Sequence, residues 1–222
     1  MLDVRRIITE EVQKAPLTAE SIIYCDMDGV LVDFAAGAIE LANAIISGAA
    51  GQDWVRQSKS MRRALKDIRF RGPGFSVKTS KDLDIPEVRT LMFAGIGFNP
   101  GEFFSQLPPL DDGIGSLWPY LTSLPNRVVL LTAPVNGRKG IEAMTAGDGK
   151  KMWAQEWLKP APSNVIISPA RQKSEHSSEG STPHILIDDK ASTIREWNKS
   201  GYGILHITGD SASTIARLGE LL

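Results

Sequence analysis

Apolar and polar positions follow two rhythms along this chain of 222 residues. Five short runs are apolar at almost every position: 22–25, 128–131, 165–167, 185–187 and 204–207. A short run that is apolar on both faces predicts a strand buried on both sides, as in a parallel sheet covered by helices. Among the later runs the spacing becomes helical, over 151–158, 191–200 and 211–221. Buried strands alternating with helices predict an α/β fold, a Rossmann-like parallel sheet with helices on both faces.

The interval 34–110 breaks that rhythm. It holds helical patterns over 34–46, 55–68 and 86–94 and no convincing buried run. The reading is a helical cap inserted after the first strand, which leaves 1–33 and 111–222 as the core. Gly72-Pro73-Gly74 is a turn within the cap, and 174–183, rich in Ser, Glu and Gly, is expected to be a polar loop. Residues 2–13 read as a short amphipathic helix, with Leu2, Ile7, Ile8 and Val12 near one face. There are no internal repeats.

Composition narrows the function classes. Hydrophobic residues make up 42% and charged residues 23%, and the formal net charge is −1, so no global field draws the chain to nucleic acid or an anionic membrane. Any basic surface must be local, and one candidate exists. From Arg56 to Lys81 there are nine Lys or Arg residues and one acid, Asp67. Lys59, Arg62, Arg63 and Lys66 share one helical face, opposite Met61, Ala64, Leu65 and Ile68. That face is either simply solvated or a patch for anionic substrates, nucleic acid included.

The single cysteine, Cys25, excludes an internal disulfide and a multi-cysteine zinc site. Charges interrupt the first sixteen residues, and no stretch is apolar for long enough to span a bilayer, so a cytoplasmic protein without a membrane partner is expected. Cys25 should face the core, and His176, His184 and His206 lack metal-ligand spacing. Trp118, Trp153, Trp157 and Trp197 are expected to be packing residues, as is Trp54 in the cap.

The candidate chemistry sits where strands end. Asp26-Met27-Asp28-Gly29-Val30 follows the first run directly. Ligands of an open parallel sheet bind beyond the carboxyl ends of its strands. There Asp26 is placed to attack phosphorus, Asp28 to exchange a proton with the departing and incoming oxygens, and Gly29 to turn the backbone beside the ligand. D-x-D-G is also a common polar turn, but its position after a buried strand favours chemistry.

The run 185–187 ends in Asp188 and Asp189, a pair that equally suits a helix N-terminus. Together with Asp26 and Asp28 it makes four carboxylates at one sheet edge, which a hard divalent cation such as Mg²⁺ would relieve. Thr132, ending the second run, offers a hydroxyl and an N–H to a phosphate oxygen. A cation is needed against the transferring phosphoryl group, and Lys173, Lys150 and Lys151 compete for that role.

These four strand ends, in this order, resemble the haloacid dehalogenase (HAD) superfamily of aspartate-nucleophile phosphatases. The motifs would be 26–30, Thr132, Lys173 and Asp188-Asp189. The resemblance implies a HAD-like core, Asp26 as nucleophile and Asp28 as general acid and base. It implies Mg²⁺ held by Asp26, the backbone carbonyl of Asp28, and Asp188 with Asp189 assisting.

A narrower likeness is to the 5′(3′)-deoxyribonucleotidases, through 26–34, Pro100-Gly101-Glu102-Phe103-Phe104, Thr132-Ala133-Pro134, Lys151-Met152-Trp153 and Arg171-Gln172-Lys173. It implies Phe34 and Phe104 beside the nucleoside, Lys151 and Arg171 near the phosphate, and Ala133 in the phosphate loop where that family has serine. The expected substrate is then a small phosphorylated molecule, first a nucleoside monophosphate. The alternatives are another small phosphoester, a nucleic-acid terminal phosphate, or a non-catalytic binding protein on the same fold.

Overall fold

The computed structural model of the chain describes residues 15–49, 58–72, 74–134 and 144–222. The expected helix over 2–13, the residues 55–57, Trp54 and Pro73 lie outside the described residues.

The apolar runs become β1 (Ile23–Cys25), β2 (Val128–Thr132), β3 (Val165–Ile167), β6 (Ile185–Asp188) and β7 (Tyr202–Leu205), one sheet in the order β3-β2-β1-β6-β7. Every neighbouring pair in it is parallel. The α/β expectation therefore holds. One strand differs. β7 starts two residues before the apolar run, because β6 pairs from Ile185↔Tyr202 to Asp188↔Leu205, and Ile207 is left exposed. Sheet register, not local apolarity, sets its ends.

Side chains alternate across the sheet with a period of two. Ile23, Cys25, Leu130, Ile185 and Ile187 face α5 (Trp118–Ser123), α6 (Ala146–Trp157) and α8 (Ser211–Leu221) in one apolar cluster with Trp118, Trp153 and Leu218. Tyr24, Val129, Leu131 and Leu186 point the other way, against Ile194 and Trp197 of α7 (Ala191–Trp197). Trp118, Trp153 and Trp197 are buried packing residues as expected, whereas Trp157 is partly exposed and lies against Trp153.

Between β1 and β2 the chain forms α1 (Phe34–Ser47), α2 (Lys59–Arg69), α3 (Pro86–Phe98) and α4 (Pro100–Ser105). The first three enclose an apolar cluster of their own, including Ala42, Ile45, Met61, Ala64, Ile68, Val88 and Leu91. The outgoing and returning segments run side by side: Asp33 N donates to Pro108 O at 2.9 Å and Leu110 N to Leu31 O at 2.8 Å. The basic face of α2 is exposed, with Met61, Ala64 and Ile68 buried beneath it.

Two expectations for the later chain are corrected. The segment 174–183 is not a plain polar loop. A 3₁₀ turn, Ala170–His176, leads into a small hairpin of β4 (Ser178–Glu179) and β5 (Thr182–Pro183), reversing through Gly180 with φ +59°. The helix expected over 151–158 starts at Ala146. Thr145 and Asp148 cap it reciprocally: Thr145 Oγ1 accepts from Asp148 N at 3.1 Å, and Asp148 Oδ2 accepts from Thr145 N at 3.2 Å. Among the described residues no helix is long and apolar enough to cross a membrane.

Candidate active site

Strand order reverses at β1. The chain steps outward from β1 to β2 and β3, then crosses back to β6 on the other side. Such a switch point opens a crevice at the carboxyl ends of the two central strands. Asp26 follows β1, Asp188 ends β6, and Asp26 N donates to Ile187 O at 2.9 Å, which locks the two tips together.

Lys173 joins these tips. Its ammonium lies 2.9 Å from Asp26 Oδ2 and 2.7 Å from Asp188 Oδ2, and the side chain is 2% exposed. Burial alone would push the ammonium's pKa down, but the two carboxylates outweigh it and hold Lys173 above the ordinary lysine value. The same burial, with Asp26 adding repulsion, holds Asp188 above the ordinary carboxylate value despite Lys173. Met27 N donates to Asp26 Oδ1 at 2.8 Å and Lys190 N to Asp188 Oδ1 at 2.8 Å, so each carboxylate is oriented from its own backbone.

A second lysine organises the opposite side. Lys150 Nζ donates to Asp28 Oδ2 and to Thr132 Oγ1, both at 2.7 Å, and its side chain is 0% exposed. Burial raises the Asp28 pKa above the ordinary carboxylate range, with Lys150 pulling the other way. Lys150 reaches in because α6 packs against α4 at backbone distance. A Cβ at Gly149 would run into the Gly101 carbonyl, and Gly101 N donates to Met144 O at 2.9 Å.

Carboxylate oxygens of Asp26, Asp188 and Asp189 lie within 4.8 Å of one another. Two buried oxygens at the site, Asp28 Oδ1 and Asp189 Oδ1, have no hydrogen-bond partner among the described residues. Burial, and then Asp26 and Asp188, push Asp189 up to about 6. A crowded, all-oxygen, under-satisfied set fits a hard divalent cation such as Mg²⁺. The Asp28 carboxylate, turned to Lys150, is not part of that trio. Gly29 makes the crowding tolerable. With φ +79° it turns the chain, and a Cβ there would lie 2.5 Å from Asp189 Oδ2.

Beside these groups opens a cleft of about 810 Å³, whose lining includes Asp28, Gly29, Asp189, Phe34, Phe93, Arg171 and Lys190. Of the positions singled out in the sequence, Asp26, Asp28, Gly29, Thr132, Lys173, Asp188 and Asp189 come together, and Ala133, Phe34 and Arg171 line the cleft.

Two do not. Lys151 is exposed and its charge acts on Asp148; its neighbour Lys150 points into the site, because the helix begins five residues before Lys151 and turns position 150 inward. Phe104 does not line the cleft. It is 1% exposed, 4.5 Å beneath the Lys150 ammonium, where it packs as a floor rather than a wall. Sequence reasoning missed Phe93 and Thr208, whose Oγ1 donates to Gly29 O at 2.7 Å. The Thr145-x-x-Asp148 capping signature could have placed Lys150; Thr208 had no local signal.

The remaining candidates are structural. Burial and neighbouring Asp26 push the Cys25 thiol far up, which makes it inert. His184 Nδ1 accepts from Ile22 N at 3.1 Å, and His206 Nδ1 lies 2.8 Å from Thr214 Oγ1.

No family model matches the chain, and no curated protein gives a match. Solved structures do. A hydrolase from Streptococcus pneumoniae TIGR4 aligns over 90% of this chain and 100% of its own, at 6% identity and a TM-score of 0.46. A HAD-superfamily hydrolase of subfamily IA from Geobacter sulfurreducens PCA aligns over 91% and 99%, at 12% identity and 0.45. L-2-haloacid dehalogenase from Xanthobacter autotrophicus aligns over 82% and 75%, at 12% identity and 0.40.

Proposed function

We propose that the chain is a HAD-type phosphomonoesterase, Mg²⁺-dependent, that works through a phospho-aspartate on Asp26. The observation that carries this reading is the convergence of Asp26 with Asp188 and Asp189, with the buried Lys173 bridging Asp26 and Asp188, beside a cleft that Asp28 and Asp189 line. Bound at the Asp26, Asp188 and Asp189 oxygens, the cation supplies charge neutralisation for the phosphoryl oxygens.

In the first step Asp26 forms a bond to phosphorus while the bond from phosphorus to the leaving oxygen breaks, and Asp28 gives its proton to that oxygen. In the second, water bonds to phosphorus, the bond to Asp26 breaks, and the water proton returns to Asp28. Burial favours protonated Asp28, which suits the first step. Lys150 fixes Asp28 and also donates to Thr132, leaving the threonine's own hydroxyl hydrogen free to point at a phosphoryl oxygen. Lys173 opposes the charge that builds on the transferring group. A halide leaving group needs no proton, so carbon–halogen hydrolysis would leave Asp28 and its dedicated lysine without a task.

Residues 34–110 act in this reading as a cap that selects the substrate. The cleft lining combines the aromatic Phe34 and Phe93 with the cationic Arg171 and Lys190, which suits the base and phosphate of a nucleotide. The test is a phosphate-release screen over nucleotides, sugar phosphates and phosphorylated oligonucleotides, with and without Mg²⁺. Asp26→Asn should abolish turnover and leave the circular dichroism spectrum unchanged. Near-normal phosphate release by that variant overturns the nucleophile assignment.

A further inference from the structure

Charge is unevenly spread in this chain. Between residues 58 and 93 there are nine Lys or Arg against four Asp or Glu, while the whole chain carries a formal −1. The excess cations therefore sit on α2, α3 and the segment between them. Three are held against phenylalanine rings: Lys66 Nζ lies 5.9 Å from the Phe70 centroid, Arg71 Cζ 5.8 Å from Phe75, and Arg89 Cζ 5.6 Å from Phe93.

Two of those rings are open to solvent, Phe70 at 77% and Phe93 at 42%. Isolated exposed apolar side chains are common and need no explanation. A cation–aromatic pair repeated three times within one basic segment is a different pattern. Arg71 at the foot of α2 bonds Glu87 in the first turn of α3, with Nη2 to Oε2 at 3.0 Å. Arg89, which also lies 3.8 Å from Asp84 Oδ1, is one turn from Phe93 on α3, and Phe93 lines the catalytic cleft.

Cations that meet a phosphate backbone, interleaved with rings that can stack on bases, are the two elements of single-strand recognition. We propose that the exposed basic surface of α2, with Phe70 at its end, binds single-stranded nucleic acid, and that the terminal phosphate of that strand is the group the cleft takes. An anionic membrane would use the same cations, but it would call for apolar side chains aimed together into the bilayer rather than separate rings each paired with a cation. The substrate half of the proposal rests on the phosphatase reading, and the binding half does not.

The binding test uses the full chain carrying Asp26→Asn, which cannot turn over, and a fluorescein-labelled oligothymidylate read by anisotropy across a salt series. Binding should weaken as salt rises, with a slope of about 0.7 per phosphate neutralised. Phe70→Ala should weaken binding by roughly 5- to 100-fold, the range for loss of one stacked base, and Lys66→Gln should lower the slope by about 0.7. Lys199→Gln, in the exposed turn just after α7, is the control for non-specific charge. Thermal melts confirm that each variant is folded.

In parallel, unsubstituted protein is given dTMP and 3′- or 5′-phosphorylated oligothymidylate. A higher kcat/KM for one of the oligonucleotides supports the proposal. Absence of binding at low salt, an unaffected Phe70→Ala variant, or binding to phosphatidylserine vesicles in place of the oligonucleotide overturns it, even if dTMP is hydrolysed. Strand binding without phosphate release from any substrate would instead overturn the phosphatase reading and leave the surface standing.

Discussion

Asp189 offers a direct test of whether this site is built for a cation. Burial and the neighbouring Asp26 and Asp188 raise its pKa from the ordinary 3.8 to about 6. A raised carboxylate pKa means that the folded chain binds the proton more tightly than the unfolded chain. Stability is therefore lost as pH rises from about 4 to about 6, and the loss is complete above that window. The full shift corresponds to about 3 kcal/mol at neutral pH. Asp189 sits at the cleft floor with partial access to solvent, so screening reduces this to roughly 1–2 kcal/mol.

Asp189→Asn keeps the shape and removes the charge. In the metal-free protein at pH 7.5 it should raise stability by about 1–2 kcal/mol, equivalent to roughly 2–8 °C in Tm for a chain of this size. The advantage over the unsubstituted protein should shrink as pH falls from 6 to 4, where Asp189 becomes protonated. Mg²⁺ should reverse the order. A ligand at about 100 times its Kd stabilises by about 2.7 kcal/mol, and the variant has lost one of the three anionic carboxylates proposed to hold it. Differential scanning fluorimetry at several pH values, with EDTA or with Mg²⁺, reads both effects. If the variant is less stable than the parent in EDTA at pH 7.5, or if the gap does not change between pH 4 and 6, the electrostatic account of the trio is wrong.

Three further outcomes follow from the same geometry. Lys150→Met should lower kcat on the order of 10²–10³-fold, because it frees both Asp28 and Thr132, whereas Lys151→Met should stay within about twofold; steady-state kinetics on one phosphoester separates them. Gly29→Ala should destabilise the fold by at least about 1–2 kcal/mol for the left-handed backbone alone, with a further cost for displacing Asp189, and urea denaturation measures it. Phe93→Ala should raise KM for a nucleotide more than it lowers kcat, and equal loss in both would place Phe93 outside substrate contact.

Much of the fold was legible in the chain, because burial on both faces of a strand leaves a local mark. The runs beginning at Ile22, Val128, Val165 and Ile185 each became a strand of the sheet within one residue at either end. The acidic tips were legible for the same reason: a carboxylate directly after a buried strand has only the sheet edge to occupy. Boundaries set by partners were not. Tyr202 and Gly203 join β7 because β6 offers them a ladder, and the hairpin at 178–183 forms because pairing outweighs its polar composition.

What the sequence alone determined is the set of chemical groups and the edge on which they lie. Which groups touch was decided only in three dimensions. A lysine's fate depends on the helix phase that carries it, and one step along α6 separates Lys150, buried on Asp28 and Thr132, from Lys151 in solvent. Phe104 reads as a substrate contact until packing places it beneath that lysine, while Phe93, unremarkable in its own segment, lines the cleft. Burial and charge pairing are properties of neighbours distant in the chain. Asp189, ordinary as a residue, acquires its raised pKa only when folding sets Asp26 and Asp188 beside it and removes the water that would have screened them.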